Sequence, residues 1–122
     1  MCKGLGLDLC EIVRMEALLA DERFLSRYFT PEEAAYVHSR GQSAAQTLAG
    51  LFAAKEAVVK ALGVGLSLPF KEIEIIHNEA CQPQVRLTGT AAEKLAALGG
   101  GDFLLSITHE GGMAAAVALW QA

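Results

Sequence analysis

Between Leu48 and Gly65 the apolar residues of LAGLFAAKEAVVKALGVG recur at helical rather than alternating spacing. Alanine and leucine dominate and proline is absent, so the stretch predicts a long helix with Gly63 as its left-handed C-terminal cap. At about 100° per residue, Phe52, Glu56, Lys60 and Gly63 share one stripe. Leu48, Leu51, Val58 and Leu62 spread over faces that a core would cover. Ser43 and Gln46 have the spacing of a capping box that opens this helix.

Earlier in the chain, Gly4 to Cys10 is bounded like a short buried strand whose only charge is Asp8. Aspartate is depleted in strands and costly to bury alone. Asp8 is then either the N-cap of the amphipathic turn carrying Ile12, Met15 and Leu19, or the holder of a positive group. Thr30, Pro31 and Glu33 form a helix start, with a capping hydroxyl, a first-turn proline and a capping-box acid, and predict a helix from Pro31 to about Ser39. After Gly65, the alternation of Glu72, Ile73, Glu74 and Ile75 predicts a half-exposed strand, and QVRL a short strand pairing back across NEACQP. Thr90 and Glu93 read as a third capping box, for a helix through about Leu98 that the glycines 99 to 101 end. FLLSITH and MAAAVALW close the chain as two apolar, buried strands of a hairpin joined by EGG. These periodicities add up to one α+β domain over residues 1–122, with a mainly antiparallel sheet and a long central helix.

Composition narrows the class. With 52% hydrophobic and 20% charged residues in 122, the chain is a well-packed globular one and not a disordered one. The apolar share is generous for a monomer and points to an oligomer interface. No run of about 18 apolar residues occurs, and Asp8 and Glu11 interrupt any signal-like N-terminus, so the expectation is a cytoplasmic protein without membrane association. A net charge of -4 argues against nucleic acid as a partner. Cys2, Cys10 and Cys81 are odd in number and lack metal-type spacing, which predicts buried or half-buried free thiols.

Residue by residue, the candidate chemistry has ordinary readings beside it. Glu56 and Lys60 make a common i, i+4 ion pair. His109 at a strand end, like His38 and His77, suits a structural or exposed histidine. A lone G-x-G at Gly63 to Gly65 is weak as a phosphate loop. Arg14, Arg23 and Arg27 interleave with Phe24, Tyr28 and Phe29, but Glu16, Asp21 and Glu22 among them suit a solvated surface.

Taken together and in order, GLGLDLCEIVR, RFLSRYFTPEE, FAAKEAVVKALGVG and SITHEGGMAAAVA resemble the holo-[acyl-carrier-protein] synthase type of 4'-phosphopantetheinyl transferase over nearly the full chain. Three positions depart from the pattern: Cys10 replaces a branched aliphatic, Met15 an isoleucine, and Val64 a threonine hydroxyl in the glycine turn. The resemblance implies the fold of that family and transfer of 4'-phosphopantetheine from coenzyme A to a serine of an apo acyl carrier protein. It implies Asp8 and Glu56 as ligands of Mg2+ and Lys60 as the contact to the phosphate under attack. Gly63 and Gly65 would let backbone approach coenzyme A, and His109 would face its phosphate region. Arg14 would dock the acidic carrier protein, with Phe24 and Arg27 added by proximity. A homotrimer with sites between subunits is implied as well.

Elementary chemistry is compatible with that assignment. Mg2+ takes oxygen ligands, keeps waters and is held by one or two carboxylates plus phosphate. Phosphoryl-type transfer asks mainly for positioning and charge. The base for the serine proton stays open between Glu56 and a water on the metal. Two other classes stand beside this reading: a non-catalytic oligomeric module holding an anion or nucleotide, and a metal-dependent phosphohydrolase. Two carboxylates aimed at one point disfavour the first; the fate of the phosphopantetheine separates the second.

Overall fold

A computed structural model describes residues 1–63 and 67–122. Its centre is helix α4, Ala44–Leu62, which is buried on nearly every side. Leu48, Leu51 and Val58 are fully enclosed, and so are Ala49, Ala53, Ala54 and Ala57, whose small side chains let other elements approach closely. The helix ends at Gly63 as expected. That glycine is extended, with φ 157° and ψ 140°, and is not the left-handed cap predicted for it. At the other end Ser43 makes no side-chain cap, because a 3-10 turn over Gly41–Ser43 winds directly into the helix.

Strand β1, Cys2–Glu11, lies across α4 and contributes the odd and even faces that decide the rest. A Cβ on Gly4 would stand 2.0 Å from the Ala61 carbonyl oxygen, and one on Gly6 1.9 Å from that of Ala57. Only glycine permits this approach, which sets Asp8 and Cys10, two and four residues on, toward the helix. Leu5, Leu7 and Leu9 face the other way and are 60–63% exposed.

Antiparallel pairing continues from β1 to β5, Met113–Gln121, and from β5 to β4, Asp102–Glu110, giving the order β1-β5-β4. Ala114, Ala116 and Ala118 of β5 are buried. The β4–β5 hairpin turns at Gly111 and Gly112, both at positive φ, as the EGG spacing predicts. β4 is not a buried strand: its residues alternate, and His109 is exposed.

β2, Ile73–His77, and β3, Pro83–Leu87, form a separate two-stranded sheet. The expectation of a half-exposed β2 fails at Glu74, which is 5% exposed. Its carboxylate pairs with Arg86 across the strands and accepts from the Thr30 hydroxyl at 2.8 Å, so burial leaves it satisfied.

Three short helices join β1 to α4: α1 over Ile12–Glu16, α2 over Glu22–Tyr28 and α3 over Pro31–His38. Asp21 caps α2. The Thr30–Glu33 capping box of α3 forms as predicted. α5, Gly89–Ala97, follows β3. Thr90 does not cap it; Glu72 accepts from Thr90 Oγ1 at 2.7 Å and from the Ala91 N–H at 2.9 Å in place of a capping box. Cys10 is buried, whereas Cys2 and Cys81 are exposed, against the expectation of covered thiols.

One ion pair among the described residues lies wholly inside. Lys55 Nζ donates to Glu33 Oε1 at 2.8 Å, to the Phe70 carbonyl at 2.8 Å and to the Ile73 carbonyl at 2.7 Å. Glu33 accepts in turn from the Thr30 and Ile75 N–H groups. Burial pushes the Lys55 ammonium below its ordinary pKa, and the Glu33 carboxylate opposes that. The pair ties α3, α4 and β2 together with every donor and acceptor used.

Candidate active site

The close crossing of β1 over α4 brings together the residues that the resemblance singles out. Lys60 Nζ lies 2.7 Å from Asp8 Oδ1 and donates to the Leu7 carbonyl at 3.1 Å. Asp8 is therefore no N-cap. That position falls to Glu11, which makes no side-chain cap, and Asp8 holds a positive group as the second reading has it. Glu56, one helical turn before Lys60, is half-buried and within hydrogen-bonding reach of the Asp8 carboxylate.

Electrostatics follow from that proximity. Burial first, and then the hydrogen bond and negative charge of Asp8, push the Glu56 pKa up to about 7, against the pull of Lys60 and Arg14. Asp8 holds the exposed Lys60 ammonium above its ordinary pKa through the hydrogen bond between them and through its charge. Two carboxyl groups thus share space for one positive charge, and near neutrality a proton occupies part of it. Among the described residues no group of three or more His, Cys, Asp or Glu could hold a metal ion. The Asp8–Glu56 pair, with all-oxygen donors, fits Mg2+ and its demand for added water or phosphate oxygens.

Beside the pair stands an aromatic group: Phe24, Tyr28, Phe52 and Phe70, with ring centroids 5.1 to 6.1 Å apart. Phe52 is one turn before Glu56. The Arg14 guanidinium lies over its ring at 5.9 Å, and that of Arg27 over Tyr28 at 5.4 Å. Arg14 is thereby placed near Glu56, while Phe24 packs on Phe52 and Arg27 lies over Tyr28. Phe29 turns inward and is buried.

His109 does not join this cluster within the chain. Its Nε2 lies 2.9 Å from Gln46 Nε2, ten residues before Glu56, or about 15 Å along the helix. Gln46 is therefore no capping-box residue. It lines a cavity of about 270 Å³ with His109, Arg40 and Tyr36. Tyr36 stacks on His77 there, 4.2 Å between centroids. Gly63 ends α4 one turn beyond Lys60; Gly65 and Val64 lie outside the described residues. Sequence reasoning missed Lys55, although a lysine flanked by Ala53, Ala54, Ala57 and Val58 is a visible anomaly. It also missed Gln46 as a partner of His109, for which the sequence carries no signal.

Comparison with known proteins adds an independent line. The chain matches the model of the 4'-phosphopantetheinyl transferase superfamily over residues 4–116. It is 44% identical over 120 residues to a holo-[acyl-carrier-protein] synthase of Treponema denticola, covering 98% of each chain. The crystal structure of the holo-[acyl-carrier-protein] synthase of Neisseria meningitidis superposes with a TM-score of 0.88 at 28% identity, over 100% of both chains. The Helicobacter pylori holo-[acyl-carrier-protein] synthase, solved in complex with coenzyme A, superposes at 0.80 with 31% identity, over 96% of this chain and 99% of that one. With motifs, fold and relatives in agreement, the chain belongs to the 4'-phosphopantetheinyl transferase superfamily and is an enzyme of its holo-[acyl-carrier-protein] synthase type.

Proposed function

We propose that this protein transfers 4'-phosphopantetheine from coenzyme A to a serine of an apo acyl carrier protein, with Mg2+ as cofactor. The observation that carries the reading is the meeting of Asp8, Glu56 and Lys60 at one point, from a strand and a helix that only the tertiary structure brings together. In the reaction the serine oxygen bonds to the phosphorus that bears pantetheine. The bond from that phosphorus to the bridging oxygen breaks, adenosine 3',5'-bisphosphate leaves, and the serine proton passes to a base, for which Glu56 is this chain's candidate.

Asp8 and Glu56 would hold the cation, which supplies charge neutralisation at the pyrophosphate. Lys60 adds a point charge to the same phosphate group from its place one turn along α4. Glu56, whose pKa is pushed up to about 7 beside Asp8, would hold the cation in its ionised form. Gly63 and Gly65, with no side chain in the way, admit coenzyme A to the backbone at the helix end.

Arg14, Phe24 and Arg27 make the docking surface for the acidic carrier protein. Complementary charge speeds encounter and sets orientation. The assembly is a homotrimer with sites between subunits. Support comes from the uncovered row of Leu5, Leu7, Leu9 and Leu104 on the outer sheet face, each at least 57% exposed. The distance of His109 from the carboxylates in one chain also supports it, since a neighbour can present that side chain. Among the described residues no helix is long and apolar enough to cross a membrane. The reading places the single domain in the cytoplasm beside its carrier protein.

Mass spectrometry of an apo acyl carrier protein incubated with this protein and coenzyme A tests the proposal. The carrier gains one phosphopantetheine group with Mg2+ present and none with a chelator. Free phosphopantetheine without a modified carrier would instead mark a hydrolase, and coenzyme A binding without turnover a binding module.

A further inference from the structure

The His109 imidazole is exposed, yet one of its two nitrogens is committed. Its Nε2 meets Gln46 Nε2 at 2.9 Å. With its amide nitrogen turned to the ring, Gln46 donates, and His109 Nε2 is then the nitrogen that carries the lone pair. The ring proton then sits on Nδ1, which has no hydrogen-bond partner among the described residues. Gln46 is a half-buried residue of the first turn of α4, so the helix fixes its backbone beside the cavity. Both residues line the same cavity of about 270 Å³, together with Arg40.

We propose that Gln46 is a positioning residue that fixes His109 as its Nδ1–H tautomer and so presents a directed N–H donor to a phosphate oxygen of coenzyme A. The inference rests on the reading of His109 as a coenzyme contact. Arg40 lines the cavity as well, so the imidazole N–H adds direction where positive charge is already present. Nδ1 faces outward only if Nε2 is held, and no residue other than Gln46 holds it among those described.

Long-range 1H–15N correlation spectra of histidine side chains read the tautomer directly, with His109→Ala assigning the signal. The intact protein is expected to show the Nδ1–H pattern for His109, and Gln46→Leu to lose it. Calorimetry with coenzyme A is expected to show binding about 5-fold weaker in Gln46→Leu, the loss of one hydrogen bond's net effect, and at least as weak in His109→Ala. An Nε2–H pattern in the intact protein overturns the proposal. Unchanged coenzyme A binding in Gln46→Leu, beside weakened binding in His109→Ala, also overturns it while leaving His109 as a contact. Unchanged binding in His109→Ala removes the coenzyme reading of that residue, and the proposal with it. If Gln46→Leu does not fold, Gln46→Glu serves: a carboxylate accepts only, so Nε2 must take a proton and the spectrum must change. Identical spectra for Gln46→Glu and the intact protein overturn the assignment.

Discussion

Lys60 Nζ and Asp8 Oδ1 are 2.7 Å apart, a pair made across the crossing of α4 and β1. On the proposed function, this ammonium is the contact to the phosphate under attack. Lys60→Ala is expected to lower kcat about 10²-fold, the usual loss for one donor to a developing oxyanion. Its melting temperature should stay close to that of the parent, because the lysine side chain is half exposed. Unchanged kcat in steady-state assays removes Lys60 from the chemistry.

Glu56 ties stability to pH with a definite sign. Its ordinary value of 4.5 applies to the unfolded chain and about 7 to the folded one. Below the lower value both states are protonated and the group contributes nothing. Between the two the folded state binds more protons, so stability falls as pH rises, and above the upper value the full cost remains. Glu56→Gln should therefore gain stability over the parent through that window. Urea unfolding at about pH 3.5 and about pH 8 should show the difference only at the higher pH, and Mg2+ should shrink it. An advantage already present at the lower pH contradicts the assignment.

Inside the core, Lys55 is the partner of Glu33 and of two carbonyls. Lys55→Met leaves a buried carboxylate without its charge partner and is expected to cost about 3–5 kcal/mol in chemical denaturation. A loss below about 1 kcal/mol would show that water or protonation replaces the ammonium.

Arg14 lies over Phe52 at 5.9 Å, on the surface beside the carboxylates. Arg14→Ala should raise the KM for the carrier protein severalfold more than that for coenzyme A, and the gap should narrow as salt rises. Equal effects on the two substrates argue against docking at this residue.

Leu7 is 61% exposed on the outer face of β1. Leu7→Glu should leave the protomer folded by circular dichroism, because that face contributes nothing to its own core. Sedimentation should show the parent at trimer mass and the variant at monomer mass, with transferase activity lost alongside. A parent that sediments as a monomer contradicts the trimer.

The local elements were legible because their causes are local. Thr30, Pro31 and Glu33 cap a helix within one turn, and the EGG hairpin needs only its glycines between two apolar runs. The charged residues of the site were legible only as members of an ordered set of motifs. Asp8 is the clearest case, since both readings of it agreed with the residues around it. Lys60, far along the chain, decides between them.

What the sequence determined by itself is the helix around Lys55 and Glu56, the capped start of α3, the closing hairpin and the family. Each is written in periodicity, turn chemistry or motif order within a few residues. The tertiary structure alone decided the partners: Lys60 for Asp8, Lys55 for Glu33, Gln46 for His109, and Glu72 for the start of α5. The first of those choices depends on how closely α4 and β1 cross. Gly4 and Gly6 permit that crossing, and no pattern along the chain states which side chains it brings face to face.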